Sequence, residues 1–145
     1  MWLGAGIPVA WSAERPYDES LDANAAMAHT LREAAEQHQH VLVIFGANWC
    51  DDCRALDAAL HQPAMVEALK GRFKVVKVDV GNFNRNLDLT ARYGDPIRNG
   101  IPAAVMLSAD GRVRYATKAG ELANARRMGP DGIARFFEGV LSRLD

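Results

Sequence analysis

Cysteine is scarce, with two in 145 residues. Two cysteines can close at most one disulfide, so a disulfide-stapled scaffold is excluded. An excess of one charge is also missing. Seventeen Lys and Arg face eighteen Asp and Glu, a formal net charge of −1, which leaves no global field to attract nucleic acid or an anionic membrane. The tightest basic cluster, Arg126-Arg127, is too small to hold a phosphate backbone. No apolar run reaches the roughly 20 residues that span a bilayer, so no membrane span is expected. Internal repeats and low-complexity runs are absent. So is any nucleotide-binding glycine motif or flavin site, and no cofactor is expected.

What is present fits an ordinary globular chain, 49% hydrophobic and 24% charged. A chain of this length forms one domain that buries about two-thirds of its unfolded surface. Residues 1–13 (MWLGAGIPVAWSA) are apolar, rich in small residues and free of Lys and Arg. They read as an export-signal remnant, a mis-assigned start or an arm packed on the domain, and the first reading points to the periplasm rather than the cytoplasm. Residues 12–20 carry Pro16 and read as a polar linker. The expected organisation is an arm or signal remnant over 1–20 and one domain over 21–145, acting as a monomer.

Residues 21–37 are Ala-rich, with Leu21, Ala25, Ala28, Leu31 and Ala35 on one helical face and Asp18 or Ser20 as the cap. Residues 41–45 (VLVIF) are the mark of a strand buried on both faces. A helical pattern resumes at Cys50 and is interrupted at Pro63, a residue suited to a kink or to the first turn of a new helix. Residues 73–80 form a second strand, 87–93 a short helix and 103–107 a third strand. Asp110-Gly111 turns the chain back into a fourth strand over 112–117. A last helix opens at Gly129-Pro130-Asp131 on the apolar face of Ile133, Phe136, Phe137, Val140, Leu141 and Leu144. Residues 120–128 carry no assignable element. Parallel strands alternating with helices, closed by an antiparallel hairpin, predict an α/β fold with a mixed central sheet and helices on both faces.

Both cysteines stand in Cys50-Asp51-Asp52-Cys53. A C-x-x-C beside a βαβ pattern is a redox signature. The strand over 41–45 delivers Cys50 to a helix start, where unpaired N–H groups and the positive dipole end favour a thiolate. The thiolate is the species that attacks disulfides. Cys53 lies one turn on, on the same side, and can resolve the mixed disulfide that forms.

Phe45-Gly46-Ala47-Asn48-Trp49-Cys50-Asp51-Asp52-Cys53 resembles the active-site segment of the thioredoxin superfamily. Gly100-Ile101-Pro102 resembles its second mark, a proline after a cis peptide bond facing the cysteines. Lys77, and Thr117-Lys118 with Gly120, also stand in family-like places. The resemblance covers about residues 21–144 and is nearest to bacterial thioredoxin-like disulfide isomerases and reductases. It implies a thioredoxin-like fold and a protein-disulfide reductase or isomerase. Protein or peptide disulfides would be the substrates, and a redox partner protein the electron donor. It further implies that Trp49 and Pro102 shape a groove in which the Ile101 backbone bonds an extended client.

The chain departs from the pattern where a thioredoxin has a buried acid on the strand before the cysteines; here that residue is Ile44. An isoleucine moves no proton, so deprotonation of Cys53 falls to Asp52, Lys77, water or the substrate. Asp51 and Asp52 oppose a Cys50 thiolate, while the helix dipole and Arg54 favour it. The expected result is a moderately stabilised thiolate. The potential should then lie nearer thioredoxin's about −270 mV than a strong oxidant's about −120 mV.

Other readings compete. A structural disulfide closing so small a loop would add little stability. A copper or zinc carrier has His29, His38, His40 and His61 as further soft donors but no second Cys pair. His38 and His40 read as solvated surface residues, and Lys77 as a strand-surface lysine before a catalytic neighbour. Asp51 reads as a solvated charge and Asp52 as a possible proton relay. A non-catalytic interaction module is opposed by the two intact cysteines and Trp49.

Overall fold

The computed structural model describes residues 14–144; the apolar segment 1–13, with its reading as signal remnant or arm, lies outside the described residues. In chain order the elements are α1 (Ala23–Gln37), β1 (His40–Gly46), α2 (Asp51–Leu60), α3 (Pro63–Leu69), β2 (Phe73–Asp79), α4 (Leu87–Arg92), β3 (Ala103–Leu107), β4 (Val113–Ala116) and α5 (Ala125–Leu144). The strands form one mixed sheet in the order β2-β1-β3-β4. β1 is parallel to β2 and antiparallel to β3, and β3 is antiparallel to β4.

The interior place of β1 explains its unbroken apolar run. Val41, Val43 and Phe45 face Met27 and Ala34 of α1 and Leu89 of α4. Leu42 and Ile44 face Leu56 of α2, Met65 of α3 and Ile133 and Phe137 of α5. Helices therefore cover both faces of the sheet, as the alternation of elements predicts. Pro63 occupies the first turn of α3, where its missing N–H costs no helical hydrogen bond. In the β3–β4 turn Gly111 takes φ +88° and its N–H donates to the Ser108 carbonyl at 2.8 Å.

Four local expectations are corrected. The cap of α1 is Asp22, whose side chain accepts from the Ala25 N–H at 3.1 Å. Asp18 instead closes a turn with Ser20, and Leu21 stands outside the helix. The stripe that α1 buries runs through Ala23, Met27 and Ala34, whereas Ala25, Ala28 and Ala35 are exposed. Alanine on every side gave no contrast, and the phase is set by the large Met27 and Leu31. The region before the last helix is itself helical from Ala125, and Gly129 (φ +71°, ψ 168°) breaks the path before Pro130 continues it. Finally, Pro16 and Tyr17, read as linker, are buried, and Tyr17 belongs to the cluster of Ile44 and Leu56.

Phe137, with no exposed surface, anchors α5 under the sheet. Phe137→Ala should destabilise the protein by about 3–5 kcal/mol in urea unfolding, the usual cost of emptying a buried aromatic site.

Candidate active site

β1 ends at Gly46, and residues 47–49 turn the chain so that Cys50 is the N-cap of α2 with extended φ/ψ of −88° and 115°. Its Sγ accepts the otherwise unpaired N–H of Cys53 at 3.1 Å. Across the turn the Cys50 thiol lies 3.8 Å from the Ile101 carbonyl, to which it donates. Pro102 follows Ile101 through a cis peptide bond. Cys50, Cys53, Ile101 and Pro102, expected together from segments 51 positions apart, stand at one end of the sheet, after β1 and before β3.

The two sulfurs differ sharply. Both cysteines are free; Cys50 retains 6% of its surface and Cys53 none. The Cys50 thiol is held below its ordinary value, first by the hydrogen bond from the Cys53 thiol and then by the Cys53 N–H, against desolvation and the Asp52 charge. The Cys53 thiol is driven far above its ordinary value by burial, with its hydrogen bond to Cys50 and the charge there adding to the effect. One sulfur is prepared to carry charge and the other to keep its proton.

The neighbouring charges are arranged differently from expectation. Arg54, expected to favour the thiolate, is held by Asp51 and donates to the Asn48 carbonyl at 2.5 Å. Asp51 also meets Arg126 at 3.1 Å. Asp52 accepts the Arg126 backbone N–H at 2.9 Å, which ties α2 to the start of α5. Lys77 is not a free surface lysine; its Nζ lies 2.6 Å from Oδ1 of Asp57, a carboxylate only 4% exposed on α2.

The sequence reading missed Asp57. Its spacing of four from Cys53 on one helix was the available signal, since residues at that spacing share a face. A buried carboxylate thus reaches the neighbourhood from the helix, while the strand position holds Ile44. Asn48 was also missed. Its Oδ1 accepts the Tyr17 N–H at 2.7 Å and its Nδ2 donates to the Tyr17 carbonyl at 2.8 Å.

Trp49 is 54% exposed, with its indole N–H donating to the Gly81 carbonyl at 2.8 Å. Phe83, itself 45% exposed, meets it edge to face at 6.2 Å. The two rings form one exposed apolar edge at the residue preceding Cys50, and Phe83 is a member of it that the sequence did not announce. Gly120 (φ +74°) packs where a Cβ would stand 2.7 Å from the Asn99 carbonyl, so the loop leading to Ile101 requires glycine there. Thr117 holds the other side, accepting the Ala104 N–H at 2.9 Å.

Histidines do not gather at the pair. His29 faces Glu33, His40 stacks edge to face on Phe73, and His61 faces Asp57. Among the described residues no three His, Cys, Asp or Glu side chains come together as a metal-binding group. Among them, too, no helix is long and apolar enough to cross a membrane.

With this geometry the chain falls into a known class. Residues 22–109 match the thioredoxin-like family, and the chain belongs to it. It is similar to a disulphide isomerase from Xylella fastidiosa Temecula1, with 51% identity and a TM-score of 0.84, over 87% of this chain and 96% of that one. The DsbD C-terminal domain of Neisseria meningitidis shares the fold at 24% identity and a TM-score of 0.51, over 73% of this chain and 96% of that one. DsbH oxidoreductase shares it at 16% identity and a TM-score of 0.53, over 98% of this chain and 94% of that one. Among curated proteins none matches.

Because Asp52 opposes charge on both sulfurs, Asp52→Asn should lower the pH at which Cys50 becomes reactive. In iodoacetamide alkylation of the native protein, the wild-type rate should rise with pH and level off below the range of a free thiol. The variant should level off at still lower pH. An unchanged profile would show that the Asp52 charge does not reach the sulfur.

Proposed function

We propose that this chain is a thiol–disulfide oxidoreductase that reduces or reshuffles disulfides in protein clients. The observation that carries the reading is the asymmetry of the pair. Cys50 sits on an N–H donor at the first turn of α2 with a lowered pKa, and Cys53 is sealed behind it with a raised one. The relative of 51% identity described as a disulphide isomerase supports it.

In the proposed cycle the Cys50 thiolate attacks one sulfur of a client disulfide. The S–S bond breaks, and the departing client thiolate takes a proton from solvent. Cys53 then gives up its proton, attacks Cys50 Sγ and displaces the second client sulfur, which leaves as a thiol. The client has gained two electrons, and Cys50–Cys53 is now a disulfide. A dithiol partner protein returns the two electrons by the same exchange chemistry. Trp49 and Phe83 offer apolar contact to the client, and the backbone of Ile101 and Pro102 borders the same groove. A periplasmic setting rests on the apolar segment 1–13.

The metal-carrier reading has less support, since the cysteines lack a third ligand among the described residues. Uptake of copper or zinc should be the same with and without Cys50.

Insulin reduction tests the reading. Wild type should accelerate it, Cys50→Ser should abolish the effect, and Cys53→Ser should accumulate a mixed disulfide through Cys50. Trapping by Cys50→Ser instead would reverse the assignment. Equilibration with glutathione should place the pair nearer about −270 mV than about −120 mV. A value above roughly −150 mV would make it an oxidase instead.

A further inference from the structure

Tyr17 reaches the redox pair from outside the C-x-x-C segment. It is 3% exposed, and its hydroxyl is buried with no hydrogen-bond partner. Its backbone is gripped at both N–H and carbonyl by the Asn48 side chain, two residues before Cys50. Glu19 strengthens the grip by accepting from the same Asn48 amide at 3.0 Å.

The ring is aimed at one spot. A Cβ added to Gly46 would collide with the Tyr17 hydroxyl and would stand 2.9 Å from Cys53 Sγ. The hydroxyl and the buried sulfur therefore face each other across the side chain that Gly46 lacks. Ile44 lines the same buried cluster as Tyr17 and carries no polar group.

A buried hydroxyl without a partner costs stability, and phenylalanine would fill the same space without that cost. The hydroxyl is accounted for if its partner exists only in another state of the reaction. Resting on the oxidoreductase reading, we propose that Tyr17 is a further catalytic residue, acting in the second step: its O–H donates to Cys53 Sγ as that sulfur sheds its proton and attacks the mixed disulfide. The proton of Cys53 leaves with the departing thiol, and Tyr17 keeps its own. Burial, together with the charge of Cys53 and Asp57, holds the Tyr17 hydroxyl well above its ordinary pKa, so it stays a donor. The charges that act on Cys53 are those of Cys50 and Asp52, and the Tyr17 hydroxyl feels Cys53 and Cys50 together with Asp57 of α2 and Asp79 of β2. Lys77 Nζ lies 6.0 Å from the Tyr17 ring centre.

Ellman's disulfide separates the two steps, because each releases one coloured thiolate. In stopped-flow mixing, Tyr17→Phe should leave the first release unchanged and slow the second about tenfold, the worth of one hydrogen bond to a charged sulfur. The pH profile of the second release should move upward. The thermal midpoint should hold or rise, since only an unpartnered hydroxyl is lost. An unchanged second release would overturn the proposal. So would equal slowing of both releases with a fallen midpoint, which marks a merely structural ring. Failure of the wild type to outpace a free thiol in the first release would instead sink the oxidoreductase reading itself.

Discussion

The hydrogen bond from the Cys53 N–H to Cys50 Sγ at 3.1 Å carries the rest of the site. A helix start leaves its first N–H groups without intrahelical partners. Here a cysteine stands where serine or aspartate usually caps, so the cap and the sulfur proposed to attack disulfides are one atom. That arrangement needs β1 to end at a set height along the sheet. The height is held by burial of β1 on both faces and by its pairing with β2 and β3.

The electrostatics follow from this placement. Both sulfurs lie in surroundings poor in water, which penalise a thiolate; at Cys50 the hydrogen bonds from Cys53 outweigh that penalty, whereas at Cys53 the one from the Ala47 backbone does not. The carboxylates of the motif are managed by position. Asp51 and Asp52 project from the first turn toward Arg54 and Arg126, where they favour the helix dipole and tie α2 to α5. Their charge still acts on the sulfurs through Asp52, which tempers the thiolate without removing it.

Much of this was legible in the chain. The apolar run 41–45 announces an interior strand because both its faces must be covered, and the C-x-x-C that follows it is adjacent in sequence to the element that positions it. The Ile101–Pro102 segment was reached through family resemblance rather than through any local signal. Tyr17, Asn48 and Asp57 stayed hidden for a physical reason. Tyr17 and Asn48 meet across 31 residues, and Pro16 with the charges around it has the composition of a solvated linker. Asp57 reads as one more surface carboxylate until β2 brings Lys77 to it. The α1 stripe failed differently: an alanine-rich helix has too little contrast between its sides to show which one is buried.

The central claim is that one sulfur tolerates charge where the other does not. An NMR titration of the reduced protein, with isotope-labelled cysteine Cβ carbons, reads each thiol separately. Cys50 should titrate first, below the range of an ordinary thiol, with Cys53 still protonated throughout that transition. Joint titration of the two near the ordinary thiol range, or earlier ionisation of Cys53, would contradict the account.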